Sequence, residues 1–518
     1  MNSPQRKILK KRTQELGNVS NLHRFRKDLL KKLEMKTVIK ENHERAIEEM
    51  KFNSTKSFFS KCSNLFASVG SDVLTVYDDN HFGDHVALVC QFKNTENMKA
   101  KTKGGPLYCL SWVDAKKREH EQGDALIAVA GEDMVVSIVS VSESAVVQIL
   151  RGGHAKAPIT GLATNKNLSD IVVSLSEEEQ KICMWSLKEN RVIAEIVNVG
   201  IGCKTMTLLE DGSLVCGFKT GSIGKRFTNF VSLVSVANNN TTTYPKKMSS
   251  VDASKDSKCY ATVNFGFGQA SAKAKGGDKS IGIDCIQSFE EDIEEGEDNK
   301  KKKQKKTTTD NNNNTKKKKE DSIINAPKRR QILVAKSASS EVSVVDFSDG
   351  FDQAKIETTF RVEDAKSNAP APTSKTNGKR TVSFGLSHDG AFLACGNGTR
   401  DGIVYVYDLN ANKSGDDGLS DDADQPSSPL LAAKLLPHER HSGTMLDVIR
   451  SCAIAKDCRH VLGTTDANDG TNRAGIVFRY EIIPEQPKEY EPPSSILKNE
   501  GGEKEEEAVV VVDDDKEN

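Results

Sequence analysis

The residues best spaced for chemistry are His438 and His441, which have the His-x-x-His spacing of some metal ligands. A zinc site needs at least a third protein ligand, and no cysteine or further histidine lies beside this pair. Gly266 and Gly268 form a short glycine-rich stretch that lacks the third glycine and the following helix of a dinucleotide site. No Gly-x-Ser-x-Gly motif or phosphate loop is present. The sequence therefore predicts a protein without a metal, a cofactor or enzymatic activity.

Short apolar segments alternate with turn residues along most of the chain. These apolar runs are broken by Gly, Asp or Ser, a pattern typical of antiparallel strands. The segments group into units that recur roughly every 40 to 50 residues, as a four-stranded propeller blade requires. The clearest units lie within residues 64–77, 107–139, 159–185, 332–347, 382–408 and 449–480. The sequence therefore predicts an all-β fold of the β-propeller type, in which these units define five or six blades.

One histidine and one tryptophan are spaced for a structural role in a blade. His154 follows a glycine, and Trp185 ends the same repeat unit, as in WD repeats. In such repeats the histidine is linked to the indole through a hydroxyl and a carboxylate. Ser174 or Ser176 can supply the hydroxyl, and Glu178 stands where an aspartate is usual. We expect this network to stabilise the blade rather than to catalyse a reaction.

Composition and charge argue against a secreted protein, a membrane protein and a protein that binds nucleic acid through its overall charge. The chain has 518 residues and is 36% hydrophobic, which is ample for a large core. Its 73 basic residues nearly balance its 74 acidic ones, so no overall charge drives it onto nucleic acid or membrane. The 11 cysteines occur singly, mostly in apolar segments, and we expect buried free thiols in a reducing compartment. No secretory signal or long apolar span is present, so we expect an intracellular protein with no membrane partner.

Three regions differ in composition from the strand-rich part. Residues 1–45 are basic, with apolar residues at helical spacing, and predict a partly helical N-terminal arm. The arm is either a solvated helix or a nucleic-acid contact, since Lys/Arg clusters neutralise phosphates. We assign residues 46–483 to the propeller, with low-complexity insertions at about 236–327 and 410–430. The lysine runs of the first insertion are either a nuclear localisation signal or a solvated charged loop. Residues 484–518 predict a disordered acidic tail.

The repeat units resemble, in order, the embryonic ectoderm development / extra sex combs family of Polycomb propellers. The likeness covers about residues 50–225 and 328–483. Its more particular motifs are the Ala-Val-Ala-Gly strand that ends at Gly131, the Ala-Lys-Ser of residues 335–337 and the Ile-Arg step at 449–450. A generic propeller would share only the Gly-His and Trp steps. The chain is therefore similar to this family in detail as well as in repeat pattern.

The resemblance implies a seven-bladed WD-repeat β-propeller with disordered insertions and tails. It implies a non-catalytic scaffold subunit of the nuclear Polycomb complex that methylates lysine 27 of histone H3 and represses transcription. In that family one propeller face binds the trimethylated histone tail in an aromatic cage, and the other face binds a helix of the methyltransferase. The expected partners are therefore a SET-domain histone methyltransferase, the histone H3 tail and other Polycomb complex subunits.

Matching the family's peptide-binding residues onto this chain retains only part of the aromatic cage. Tyr108 matches a tyrosine of the cage, and Arg450 matches an arginine that contacts the histone peptide. The cage's Trp-Tyr pair falls on Val382 and Ser383, which have no ring, and its first phenylalanine falls near Glu48. A quaternary ammonium gains about 0.5–2 kcal/mol from each ring face, so lost rings weaken the site. The resemblance thus predicts membership of the complex more directly than methyl-lysine binding.

Other classes of function remain open. One is a different chromatin propeller of the origin-recognition-associated kind, which usually carries a leucine-rich repeat that the first 50 residues lack. Another is a general WD-repeat scaffold in ribosome assembly or trafficking. An enzyme built on a propeller is a further class, and the missing catalytic motifs disfavour it.

Overall fold

A computed structural model of the chain describes residues 19–41, 47–54, 64–81, 85–96, 103–114, 124–165, 168–209, 212–219, 223–227, 235–236, 242–243, 249–255, 260–265, 282–292, 329–337, 340–350, 353–362, 383–397, 402–410, 429–437, 448–468 and 473–482. Within these residues the structure is nearly all β-strand, with a single helix, α1 (Val19–Lys31). That described part contains no helix long and apolar enough to cross a membrane.

Six of the sheets are antiparallel blades of four strands each. Four of these blades use consecutive strands: β2 (Ile47–Phe52), β3 (Leu65–Gly70), β4 (Val73–His81) and β5 (His85–Lys93); β6 (Leu107–Val113), β7 (Leu126–Gly131), β8 (Val136–Ser140) and β9 (Ala145–Leu150); β21 (Ile283–Asp292), β22 (Arg329–Ser337), β23 (Glu341–Asp346) and β24 (Lys355–Arg361); and β25 (Gly385–Leu386), β26 (Phe392–Cys395), β27 (Val404–Asp408) and β28 (Leu430–Leu435).

The other two four-stranded blades include strands that are distant in sequence. Their strands are β14 (Cys203–Leu208), β15 (Leu214–Phe218), β16 (Ile223–Phe227) and β20 (Tyr260–Asn264); and β29 (Ser451–Ile454), β30 (His460–Asn468), β31 (Arg473–Ile482) and β1 (Leu33–Glu41).

Two further sheets depart from the four-strand pattern. A five-stranded sheet contains β10 (Gly161–Ala163), β11 (Ile171–Ser176), β12 (Lys181–Ser186), β13 (Arg191–Val197) and β19 (Ser249–Asp252), and a short pair is formed by β17 (Ser235–Val236) and β18 (Thr242–Thr243).

One strand of each large sheet lines a central channel, and we call these the inner strands: β2, β6, β10, β14, β21, β25 and β29. The inner strands lie side by side and close into a ring. β2 packs against β6, β6 against β10, and β10 against β14. β14 packs against β21, and β25 packs against β29, which returns to β2. Between β21 and β25, the Gln287 side chain donates a hydrogen bond to the Phe384 carbonyl at 2.6 Å. The predicted β-propeller is therefore confirmed.

The number of four-stranded blades differs from the expected seven. The structure has six, and the sheet that contains Trp185 has a fifth strand, β19, paired in parallel with the outer edge of β13. Among the described residues, six sheets therefore meet the four-strand criterion for a blade, and the five-stranded sheet does not. The repeat pattern did not predict this fifth strand because Ser249 and Ser250 give it no apolar run.

The ring is closed by a strand that the sequence analysis placed in the N-terminal arm. β1 pairs antiparallel with β31, from Leu33 opposite Ile482 to Glu41 opposite Gly475. Residues 33–41 therefore belong to the propeller. The predicted boundary between the arm and the propeller, at residue 45, is wrong because it assigns this strand to the arm. The cause is that Leu33 also fits the helical spacing of the residues before it, while its strand partner lies at the other end of the fold.

Helix α1 lies against the blade β25–β28 rather than in solvent. His23 and Lys27 pair with the Asp408 carboxylate at 3.0 Å and 3.2 Å, and Arg26 pairs with Asp389. Leu30 is fully buried. Burial alone would raise the pKa of Asp408, but the hydrogen bond and charge of His23, with Lys27, hold it below its usual value. The expectation of a solvated arm is therefore wrong for this helix, and three of its basic side chains bind the propeller.

The predicted insertion at about 236–327 is wrong in part, because three strands of the propeller lie inside it. They are β19, β20 and β21, of which β21 pairs with β22 over its length. Residues 293–328, 411–428 and 483–518 lie outside the described residues, so the second insertion and the acidic tail stay predictions.

The described cysteines are all buried and free, as the sequence predicts for these positions. Burial raises the pKa of Cys183 to about 12 and that of Cys285 to about 11. These thiols stay protonated at neutral pH and pack as small apolar side chains.

Candidate protein-interaction site at the mouth of the central channel

The inner strands enclose a channel with a volume of about 410 Å³. Each inner strand contributes side chains to its wall, such as Met50, Cys109, Leu162, Met206, Ile286, Leu386 and Ala453. Charged residues also line the channel, and several of them lie where the inner strands begin. We call this end the mouth of the channel, and define it by Tyr108, Lys204, Asp284 and Ser383.

Four inner strands share an irregularity at the mouth. The pairing register shifts at the second residue of β2, β6, β14 and β21, which is Glu48, Tyr108, Lys204 and Asp284 respectively. A bulged residue has no partner in the strand ladder, and the local bend re-aims its side chain. The same register shift therefore places one unpaired residue of each of these four strands at the same end of the ring.

Tyr108 is the aromatic residue of this set, and it is half-buried. Its hydroxyl donates a hydrogen bond to Glu132 Oε2 at 2.7 Å, in the turn between β7 and β8. The close approach of the strands requires Gly131, because a Cβ there would lie 2.0 Å from the Pro106 carbonyl oxygen. The mouth thus holds a fixed ring next to a carboxylate.

Ion pairs and hydrogen bonds connect neighbouring inner strands at the mouth. Lys204 of β14 pairs with Asp284 of β21. Glu49 accepts a hydrogen bond from the Leu110 backbone N–H at 2.7 Å, and Lys51 donates one to the Leu110 carbonyl at 2.9 Å. The mouth therefore presents both carboxylates and ammonium groups on a wall held rigid by these contacts.

Ser383, one of the four residues that define the mouth, connects two inner strands, and its role in peptide binding stays a prediction. Its backbone N–H donates to the Arg450 carbonyl at 2.7 Å, and its hydroxyl donates to Ser451 Oγ at 2.8 Å. These bonds join β25 to β29. The neighbouring ring of Phe384 is buried and adds no exposed aromatic face. Val382, the other residue of the matched pair, lies outside the described residues.

Arg450 lies beside Ser383, but its side chain is only 2% exposed. Its backbone N–H donates to the Thr464 carbonyl at 2.8 Å, which places the residue inside the wall. The predicted contact between Arg450 and a histone peptide stays a prediction, and it requires the guanidinium to become uncovered.

The His154–Trp185 network is present with one change from the predicted residues. Trp185 Nε1 donates to Ser174 Oγ at 2.7 Å, and His154 Nε2 lies 2.8 Å from the same oxygen. Because the Glu179 carboxylate can only accept, the proton of the neutral imidazole lies on Nδ1, 3.3 Å from Glu179, and Nε2 accepts from the Ser174 hydroxyl. The hydroxyl is therefore Ser174, while the predicted Glu178 is replaced by Glu179.

Glu179 takes this position because the preceding loop is folded around its carboxylate. Its Oε1 accepts backbone N–H bonds from Ala155 at 2.8 Å, from Lys156, and from Ala157 at 3.0 Å. Burial raises its pKa, but these N–H groups outweigh burial and hold the pKa below its usual value. Burial lowers the pKa of His154, so the imidazole is neutral at pH 7. The network is a stabilising element, separate from the mouth.

Sequence reasoning missed Glu132, Lys204 and Asp284 as residues of the mouth. For Lys204 and Asp284 the available signal was a polar residue at the second position of the inner strand, a feature that β2, β6, β14 and β21 share. The described residues contain no group of three or more possible metal ligands, and His438 and His441 lie outside them.

Comparison of the chain with protein-family models finds no family that matches, and comparison with curated proteins finds no relative. The likeness to Polycomb propellers therefore depends on the motifs of the sequence.

Proposed function

We propose that the protein is a non-catalytic scaffold subunit of a Polycomb-type histone methyltransferase complex, which acts on lysine 27 of histone H3 in the nucleus. The observation that carries this proposal is the mouth of a closed propeller, where Tyr108 stands at the position that matches a cage tyrosine. The sequence motifs that resemble those of the Polycomb family lie in the same blades. A rigid ring whose channel mouth carries aromatic and charged side chains is suited to presenting binding surfaces to partner proteins.

The proposal includes a seven-bladed ring. The five-stranded sheet contributes its first strand, β10, to the channel between β6 and β14, as a blade does. Its four antiparallel strands, β10–β13, repeat the order of the other blades. We therefore count it as the seventh blade, with β19 as an addition at its outer edge.

The histone H3 tail is the ligand that we propose for the mouth. The Tyr108 ring offers a π-face to a methylated lysine, a contact of about 0.5–2 kcal/mol. Glu132 beside it adds negative charge that favours a basic peptide, whereas the Glu49 carboxylate is already paired with Lys51. A tail lysine bound here in its trimethylated form would make this subunit a reader of the mark, while a SET-domain methyltransferase and other Polycomb subunits bind elsewhere on the propeller.

A second candidate function is a different WD-repeat scaffold, of the origin-recognition-associated or ribosome-assembly type. The replaced cage positions favour it, because Ser383 occupies a position where the Polycomb family has a ring. The same propeller would then present its rim to other partners.

Affinity purification of the tagged full-length protein from nuclear extract distinguishes the two functions. We expect a SET-domain methyltransferase to co-purify, together with other Polycomb subunits, and histone H3 lysine methylation activity to be present in the eluate. The tag alone is the control. Recovery of ribosome-assembly or origin-recognition proteins with no methyltransferase would reject the Polycomb assignment in favour of the second candidate.

A further inference from the structure

The N-terminal arm differs in charge from the rest of the chain. Residues 1–41 contain 12 lysines and arginines but only four aspartates and glutamates. Since the whole chain has 73 basic and 74 acidic residues, the part after residue 41 has an excess of acidic side chains. A charge asymmetry of this size indicates a segment that contacts a polyanion, such as a nucleic acid or an anionic membrane.

Packing on the propeller divides the cations of the arm into two sets. In the first set, Arg26, Lys27 and Lys36 each form an ion pair with a carboxylate of the blades. The cations of the second set are exposed and form no ion pair with another described residue: Arg24, Lys31, Lys32 and Lys40. We call this second set the arm surface. Its charges are not neutralised by the fold, so they are accessible to a ligand.

The arm surface combines three cations of helix α1 and its end with one of β1. Arg24 and Lys31 are seven residues apart, which is two helical turns, so they lie on the same side of α1 and about 10 Å apart along its axis. One strand of a DNA duplex presents about three phosphates over that distance. Asp28 and Glu34 are the exposed acidic residues of the described arm, so exposed cations outnumber exposed anions there. The surface is therefore positive, with a spacing compatible with a phosphate backbone.

The apolar face of α1 is already used by the fold, which argues against binding to a lipid surface. Leu30 is fully buried and belongs to the same core cluster as Phe392 and Leu435. Leu22 and Phe25 are each only 37% exposed. A helix that lies in a membrane interface buries a continuous apolar face among the lipids. The side of α1 that faces solvent is largely charged, so nucleic acid is favoured over membrane.

We propose that the arm surface binds the phosphate backbone of nucleic acid without sequence selectivity. Arg24, Lys31 and Lys32 neutralise phosphates from the fixed position that α1 has on the propeller, and Lys40 extends the contact along β1. Residues 1–18, which precede the helix in sequence, contribute five further basic residues and one acidic residue. The proposal does not rest on the channel mouth or on the function proposed for it.

The test is a titration of the full-length protein against a short fluorescein-labelled DNA duplex, followed by fluorescence anisotropy at several salt concentrations. Neutralised phosphates release counterions, so the logarithm of the binding constant falls linearly with the logarithm of the salt concentration. In the triple variant Arg24→Gln, Lys31→Gln, Lys32→Gln we expect this slope to become shallower by about 2–3 and binding at low salt to weaken at least about tenfold. An unchanged slope and affinity would overturn the proposal.

The matched control removes the same charge from other parts of the propeller. Lys93→Gln, Lys255→Gln and Lys355→Gln change three lysines of other sheets, whose side chains are 64%, 82% and 75% exposed. We expect this control variant to keep the slope and affinity of the unaltered chain. Equal effects of the two triple variants would attribute binding to overall charge and would reject the arm surface. Thermal unfolding of both variants should match that of the unaltered chain, since all six side chains are exposed.

Three further probes identify the polyanion. A duplex of unrelated sequence should bind with the same affinity, because phosphates carry no sequence information. A single-stranded RNA distinguishes the two kinds of nucleic acid, and binding of either one that depends on the three cations supports the proposal. Vesicles that contain phosphatidylserine are the third probe. Binding to the vesicles without binding to either nucleic acid would reject the proposal and assign the arm surface to lipid headgroups.

Discussion

Replacing Asp79 by alanine is expected to lower the free energy of unfolding by about 1.5–3 kcal/mol, because the buried guanidinium of Arg479 loses one of its two carboxylate partners and keeps only Glu481. Arg479 is fully buried on β31, and its Nε donates to Asp79 Oδ1 at 2.7 Å. Its Nη2 donates to the Asp79 carbonyl at 2.9 Å, and His460 also pairs with the Asp79 carboxylate. These contacts join β4 to the blade that closes the ring, so the loss affects the closure of the whole fold.

Urea unfolding of the variant measures this loss, because the free energy of unfolding is the product of the urea concentration at the midpoint and the slope of the free energy against urea concentration. Asp72→Ala is the matched control, since Asp72 lies in the turn before the same strand and forms an exposed pair with Lys93 at 3.7 Å. An exposed pair of this kind contributes at most about 1 kcal/mol. Equal losses in the two variants would show that the buried network does not hold the ring. In a double-mutant cycle, Asp79→Ala combined with Arg479→Met should lose less than the sum of the single changes.

Replacing Trp185 by alanine is expected to cost about 3–5 kcal/mol, as for other fully buried large side chains. The side chain has no exposed surface, and a Cβ on Gly153 would lie 2.4 Å from its ring, so the blade is packed tightly against it. Ser174→Ala should cost about 1–3 kcal/mol, because it leaves the buried indole N–H and the His154 imidazole without their shared partner.

The control for the serine change is Ser142→Ala, which removes an exposed hydroxyl from a turn of the neighbouring blade. It should change the free energy of unfolding by less than about 0.5 kcal/mol. If Ser174→Ala lowered the free energy of unfolding no more than Ser142→Ala does, the histidine–serine–tryptophan network would not contribute to stability.

The sequence predicted the inner three strands of most blades, because these strands are buried on both faces. The segments around β3, β6, β11 and β26 are short apolar runs, and all of their residues are buried in the structure except the half-buried Tyr108 of β6. Continuous apolar runs bounded by turn residues are the strongest strand signal that a sequence offers.

The outer strands were not predicted, because they lie at the edges of the blades and few of their residues are buried. β24 is largely polar, while β5 and β9 contain apolar residues that the repeat pattern did not assign to a blade. β1 was assigned to the arm because its partner, β31, lies more than 400 residues away in sequence. Pairing of this kind depends on the closed ring, and no local pattern encodes it.

Tyr108 was singled out from the sequence, but its neighbours at the mouth were not. The positions of Lys204 and Asp284 depend on register shifts, which one residue more or less in a strand creates. Glu179 replaced Glu178 for a similar reason, since the turn between β11 and β12 decides which carboxylate points at the histidine. The presence of the histidine–serine–tryptophan network could be predicted, whereas the choice between adjacent residues required the fold.

The most direct test of the account is a titration of histone H3 peptides against the full-length protein by fluorescence anisotropy. One peptide carries trimethylated lysine 27 and its partner carries the unmodified residue. We expect the trimethylated peptide to bind more tightly, and Tyr108→Ala to weaken it by about 2- to 30-fold, the range that one ring face supplies. Tyr108→Phe keeps the ring, loses the bond to Glu132 and should retain most of the affinity. Equal affinity for the two peptides, or a Tyr108→Ala variant that binds as well as the unaltered chain, would contradict the claim that the mouth of the channel reads the histone tail.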